Sequence, residues 1–211
     1  MPAQIPPPSA IPDPFVSAQD ISARGRLMKA AVDIFGRKGY AAASVREIVE
    51  RAGVTKPVLY YHFGNKEGLM MAIIDGAARA MSAVVEACAR QGGTTREQVF
   101  RLFSSVIAMV RAHTSELRVV HAVYYFAPEL LPTFDARVFE RIVLGELERV
   151  IQAGIESGEI RPVSPTAASI ALGAILGASL DQELIHGEFP LKEDGLFQVL
   201  DLVFDGLCPT S

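Results

Sequence analysis

The sequence predicts an all-α protein of about nine helices, and three observations predict it. Apolar residues recur at spacings of three and four from about Ser17 onward, the period of one buried helical face. Helix start and stop signals fall between those stripes: capping sequences, glycine just past an apolar run, proline at a first helical position. No convincing strand pattern interrupts them.

The elements can be justified in chain order. Residues 1–19 hold Pro2, Pro6, Pro7, Pro8, Pro12 and Pro14 and no Lys or Arg. They read as a flexible, polyproline-like tail to which no function is assigned. Leu27, Ala30, Ala31, Ile34 and Phe35 form the stripe of a first helix, which Gly39 stops. Ser44 opens a second helix, and Glu47 three residues later completes a capping box. Val45, Ile48, Val49 and Ala52 are its apolar face, and Gly53 fits the left-handed position beyond its end. Thr55 is placed to cap a short third helix through Tyr61 or His62, with Pro57 in the first turn, where the missing N–H costs nothing. A fourth helix runs from near Asn65 to about Arg90, where "GGTT" breaks it. "TREQ" (95–98) opens a fifth, apolar on most sides, through His113. A sixth covers about 115–126 and ends before Pro128; a seventh covers about 133–158. Ser164 and Pro165 cap and start the eighth, which ends at His186 and Gly187, and the ninth spans about 191–207.

Composition narrows the class. Half of the 211 residues are hydrophobic, enough for a substantial core. Cys88 and Cys208 lie far apart and form no CxxC or metal-binding spacing, which suits a reduced, cytoplasmic setting. No basic stretch followed by an apolar one marks a signal peptide at the N-terminus. The most apolar run, Ile170 to Leu180, is shorter than a membrane span, so no membrane is expected. His62, His113, His121 and His186 show no HExxH spacing, and GxSxG, P-loop and GxGxxG are absent. No enzyme, cofactor or metal is therefore expected.

The charge is unevenly distributed. Between Asp20 and Lys66 nine Lys/Arg face four acids, leaving +5 there and −9 elsewhere in a chain whose total is −4. A compact basic segment on an acidic body is the electrostatic pattern of a nucleic-acid-binding head. Two short capped helices joined by "AGVT" inside that segment form a helix-turn-helix. Its second helix offers lysine to guanine or phosphate, proline and valine to thymine methyls, and tyrosine and histidine to phosphate oxygens.

The stretch "SVREIVERAGVTKPVLYYHFGNKEGL" closely resembles the DNA-binding signature of the TetR family of bacterial transcriptional regulators, and "RLMKAAVDIFGRKGY" fits the helix before it. The motif resemblance covers roughly residues 24 to 70. It implies a helix-turn-helix DNA-binding domain at 20–66, followed by a ligand-binding and dimerisation domain at 67–211. Carried over position by position, it implies that Arg46 reaches a base or phosphate and that Ser44 and Thr55 cap helices beside the DNA backbone. Lys56, Pro57, Val58 and Tyr61 would form the base-facing edge, and Tyr60, His62 and Lys66 would contact phosphates. Pro57 and Val58 stand where glycine and a small residue or threonine are common, a departure that bears on base preference. Leu59 and Phe63 read as core.

For the acidic body the resemblance implies binding of a small effector and homodimerisation. Phe103, Ile107, Val110, His113, His121, Tyr124, Tyr125, Phe126, Phe134 and Phe139 would supply an apolar pocket with a few polar groups, although the same residues also describe an ordinary core. Ala171, Ala174, Ile175 and Ala178 on the eighth helix, with Phe197, Leu200 and Phe204 on the ninth, suit a four-helix dimer interface. The implied protein is a repressor that binds double-stranded DNA at an inverted-repeat operator and is released by an unknown small molecule. Two alternatives stand beside it: a helical ligand-binding or enzymatic domain with an incidental basic head, and a constitutive DNA-binding dimer without effector.

Overall fold

The computed structural model describes residues 22–126, 135, 137–187 and 193–207. The proline-rich segment 1–19 and Phe134 lie outside them, as does the side chain of Phe126. Among the described residues there are nine helices: α1 (Ala23–Ala42), α2 (Val45–Ala52), α3 (Lys56–Phe63), α4 (Lys66–Ala89), α5 (Thr95–Ala112), α6 (Thr114–Phe126), α7 (Val138–Ser157), α8 (Pro165–His186) and α9 (Glu193–Leu207). No strand occurs among them. The protein is all-α.

Two compact units share these helices. The first contains α1, α2, α3, the part of α4 up to Ala80, and α6. Ser22 caps α1 by accepting from the Gly25 N–H at 3.1 Å. Backbone at φ 80°, ψ 160° breaks the helix at Gly39, and one further turn ends where the Ala43 N–H donates to the Tyr40 carbonyl. α2 begins with both halves of the predicted capping box. It ends at Gly53, whose φ of 63° and ψ of 40° turn the chain toward α3 in a conformation that glycine adopts without a Cβ penalty. α1 packs on α2, α3 and α6, and its buried Leu27, Ala30, Ala31, Ile34 and Phe35 are the stripe read from the sequence. Leu59, fully buried, is the residue of α3 that enters this core, a burial worth about 1.5–3 kcal/mol.

The second unit contains α4 from Met81, with α5, α7, α8 and α9. α5 packs on α7, α8 and α9 and buries Val99, Leu102, Phe103, Val106, Ile107, Met109 and Val110, which accounts for its apolar character on most sides. It begins at Thr95, where "TREQ" places its start, and is capped from the residue before. Thr94 and Glu97 form the reciprocal pair at 2.9 and 3.3 Å, while Thr95 is buried and donates its N–H to Glu159 at 2.7 Å. Arg96 ties α5 to α9 through Asp201 and stands over the rings of Phe100 and Phe204. α7 packs along α8, so closely at Gly173 that a Cβ there would lie 2.3 Å from the Leu144 side chain.

Among the described residues, α4 and α8 are long and apolar enough, by length and composition, to cross a membrane. Core helices meet the same description. In α4, 56% of the apolar window is already buried within the protein, whereas in α8 only 28% is, so α8 keeps an apolar face open.

Candidate nucleic-acid interface

The helix-turn-helix is built from local rules and then fastened by long-range cations. At the start of α2 the Glu47 N–H donates to Ser44 Oγ at 3.2 Å, and the Ser44 N–H donates to Glu47 Oε2 at 3.0 Å. Lys38 donates to the other oxygen, Glu47 Oε1, at 2.5 Å. Hydrogen bonds from Lys38, then from the Ser44 side chain and backbone, hold the Glu47 carboxyl at about 2. At the other end of α2, Arg26 Nε donates to the Ala52 carbonyl at 3.0 Å. Asp33 on α1 pairs with Arg37 and, across the helix interface, with Arg51 on α2.

Thr55 does not cap α3 with its side chain. Pro57 occupies a position whose N–H such a cap would use, and the Val58 N–H donates instead to the Thr55 carbonyl at 3.1 Å. The helix runs to Phe63, one residue past the expected end. Its outer face is open: Lys56, Pro57, Tyr60 and Tyr61 are exposed, Tyr61 to 86%. Among the described residues no acid pairs with Lys56. His62 and Val58 are half-buried, and the His62 ring lies 5.1 Å from Tyr61 and 6.1 Å from Phe63. Phe63, read as core, is only half-buried and lies under the Arg24 guanidinium.

Arg46 projects from α2 and pairs with Glu50 one turn later at 2.7 Å, with the two side chains 77% and 59% exposed. So open an ion pair holds its partners weakly, leaving Arg46 free to exchange Glu50 for a phosphate or base.

Lys66 does something the sequence does not announce. Its ammonium donates to the carbonyls of Tyr40 and Ala43 at 2.9 Å each and to that of Ala41 at 3.4 Å. It sits 4.5 Å from the centre of the Tyr40 ring, and burial pushes its pKa down. All three of its donors already have acceptors inside the protein. Sequence reading also missed the Arg26 contact to Ala52 and the Asp33–Arg51 pair, both set by tertiary packing.

The residues expected to line an effector pocket are distributed more widely than the sequence suggests. Phe103, Ile107 and Val110 are buried in the core of the second unit, and Phe139 on α7 is half-buried. His113, His121 and Tyr124 are half-buried in the first unit, while Tyr125 is 53% exposed. Rings of His121 and Tyr124 each lie 4.5 Å from that of Tyr125. The interface set also divides. Ala171, Ala174 and Ala178 are exposed and Ile175 is half-buried, on a stripe extended by Ile170 and Ile185. Leu200 and Phe204, by contrast, are buried within the subunit, and Phe197 stacks on Phe100 at 5.1 Å. The outward residue of α9 is Leu202, 73% exposed. A helix-wide count of apolar residues could not separate its two faces.

The family model of bacterial regulatory proteins of the tetR family matches residues 27–73. The chain is 40% identical over 85 residues to the transcriptional activator FasR of Mycolicibacterium smegmatis, covering 40% of this chain and 37% of that protein. It is 29% identical over 168 residues to the A-factor receptor protein of Streptomyces griseus, covering 79% of this chain and 57% of that one. The chain thus spans well under two thirds of either relative. The solved structure of the ketosteroid transcriptional regulator KstR2 of Mycobacterium tuberculosis superposes with a TM-score of 0.69 at 22% identity, over 92% of this chain and all of that one, and therefore shares the fold. Residues 27–73, which hold the helix-turn-helix, are thus similar in sequence to bacterial regulatory proteins of the tetR family, and the nine-helix arrangement shares the fold of KstR2.

Proposed function

We propose that the protein is a cytoplasmic transcriptional repressor that binds an inverted-repeat operator as a homodimer. The observation that carries this reading is the open face of α3. Lys56, Pro57, Tyr60 and Tyr61 are exposed together on a helix whose approach is fixed by the α2 capping box and the Gly53 turn, inside a segment of net charge +5. Lys56, Pro57, Val58 and Tyr61 face base edges; Arg46, Tyr60 and His62 reach base or phosphate; Ser44 and Thr55 lie beside the DNA backbone. Residues 20–66 serve as the DNA-binding domain and 67–211 as the domain for effector and partner. The effector is a small molecule that weakens operator binding, and reciprocity requires that operator weaken the effector by the same factor.

The test is a gel shift with DNA from immediately upstream of the protein's own coding sequence, against mixed-sequence DNA of equal length. Lys56→Ala is expected to cost about 1–3 kcal/mol on the specific fragment and much less on the other. Equal losses on both would make Lys56 a positioning charge, and failure of the wild type to prefer either fragment would remove this operator from the reading.

A further inference from the structure

Rotation about the link between α3 and α4 would swing α3 relative to the rest of the helix-turn-helix. That link consists of Gly64, with φ 75° and ψ −48°, and Asn65. Three contacts bridge it. Asn65 Oδ1 accepts from the Gly68 N–H at 2.7 Å and caps α4. Gly68 lies against the Phe63 carbonyl, so close that a Cβ there would fall 2.0 Å from the oxygen. Lys66, the first residue of α4, reaches back more than twenty positions to the carbonyls of Tyr40, Ala41 and Ala43, between the end of α1 and the start of α2.

Those carbonyls belong to the end of one helix and the link to the next, where the intrahelical donors have run out. A cation there satisfies them and complements the negative end of the α1 dipole. An ammonium suits the task because its three N–H groups diverge from one small atom, whereas the planar guanidinium fork of arginine cannot converge on the same three oxygens.

We propose that Lys66 is a positioning residue rather than a phosphate ligand: it fastens the first turn of α4 to the α1–α2 link, so that α1, α2, α3 and the start of α4 present α3 to DNA as one piece. The proposal rests on the DNA-binding reading only for its consequence at DNA; the fastening itself is intramolecular.

The experiment compares full-length wild type, Lys66→Met and Lys66→Arg. One arm measures amide hydrogen exchange at Ala43, whose N–H donates to Tyr40 at the end of α1, and at Ile48, whose N–H donates to the Ser44 carbonyl in the first turn of α2. The other measures binding to a mixed-sequence linear duplex over a range of KCl concentrations. Both variants are expected to exchange faster at those amides and to bind more weakly, with the slope of log K against log salt unchanged. The proposal is overturned if Lys66→Arg matches wild type in exchange and affinity while Lys66→Met loses about 0.9 of slope, the mark of one phosphate contact. If circular dichroism shows Lys66→Met unfolded, Lys66→Arg decides: wild-type exchange overturns the proposal, and faster exchange with an unchanged slope supports it. If wild type does not bind the duplex, the DNA-binding reading fails separately, and exchange alone decides the fastening, unchanged rates overturning it.

Discussion

Ser44 and Glu47 show how few atoms define the start of α2. Each satisfies a backbone N–H of the other, and Ser44→Ala should lower stability by about 1 kcal/mol. Glu47 adds a dependence on pH. Its carboxyl is held at about 2 against an ordinary 4.5, so its folded-state pKa is depressed. Its contribution is complete above pH 4.5 and is lost as the pH falls toward 2. Glu47→Gln keeps an acceptor for the Ser44 N–H but gives up the ionic bond to Lys38, so acid titration of thermal stability should be flatter for the variant across that interval. The difference should shrink in high salt because the pair is exposed. Parallel acid limbs for variant and wild type would assign the effect to other carboxylates. This capping box was legible in the sequence because its partners are three residues apart. The Lys66 contacts were not, because their acceptors are backbone carbonyls more than twenty residues away, which no side-chain pattern encodes. Thr55 misled for a local reason: proline in the first turn permits the helix start but removes a donor that the threonine cap would use.

At the scale of helices, periodicity identified each element, and the ends fell within a few residues because glycine, proline and capping residues punctuate the chain. What periodicity could not assign was the partner of each face. α6 illustrates this: its buried Leu117, Val119, Val120 and Val123 form an ordinary apolar stripe, yet the helix packs on α1 in the same unit as the helix-turn-helix. The angle between α3 and α4 has an equally specific determinant in Gly68. Alanine in place of glycine would favour a helix by up to about 1 kcal/mol. Here its Cβ would meet the Phe63 carbonyl at 2.0 Å, and a backbone atom yields less readily than a side chain. Overpacking of this kind costs typically 1–3 kcal/mol and should prevail. Gly68→Ala should therefore lower the thermal midpoint and weaken DNA binding together. A variant more stable than wild type would mean that the two helices part without penalty.

At the scale of the whole molecule, the open faces of α8 and α9 carry the argument. Ile170, Ala171, Ala174, Ala178 and Ile185 recur at helical spacing on the exposed side of α8, and Leu202 stands outward on α9. A second copy covering this face would bury apolar surface that the subunit leaves in water, and small residues would let the helices approach. Under the proposed function the same association would also serve DNA recognition. One helix-turn-helix contacts few base pairs, while two related by a two-fold axis read half-sites about 34–36 Å or a multiple of that apart. Ala174→Glu places a charge on the exposed stripe without disturbing the buried Leu172 and Leu176, so helical content should be preserved. Sedimentation should then report monomers, and affinity for the operator should fall toward that for mixed-sequence DNA, because each head retains its phosphate contacts but loses its partner. Dimers that persist in Ala174→Glu would move the interface off α8, whereas monomers with undiminished operator affinity would show that a single head is sufficient for recognition.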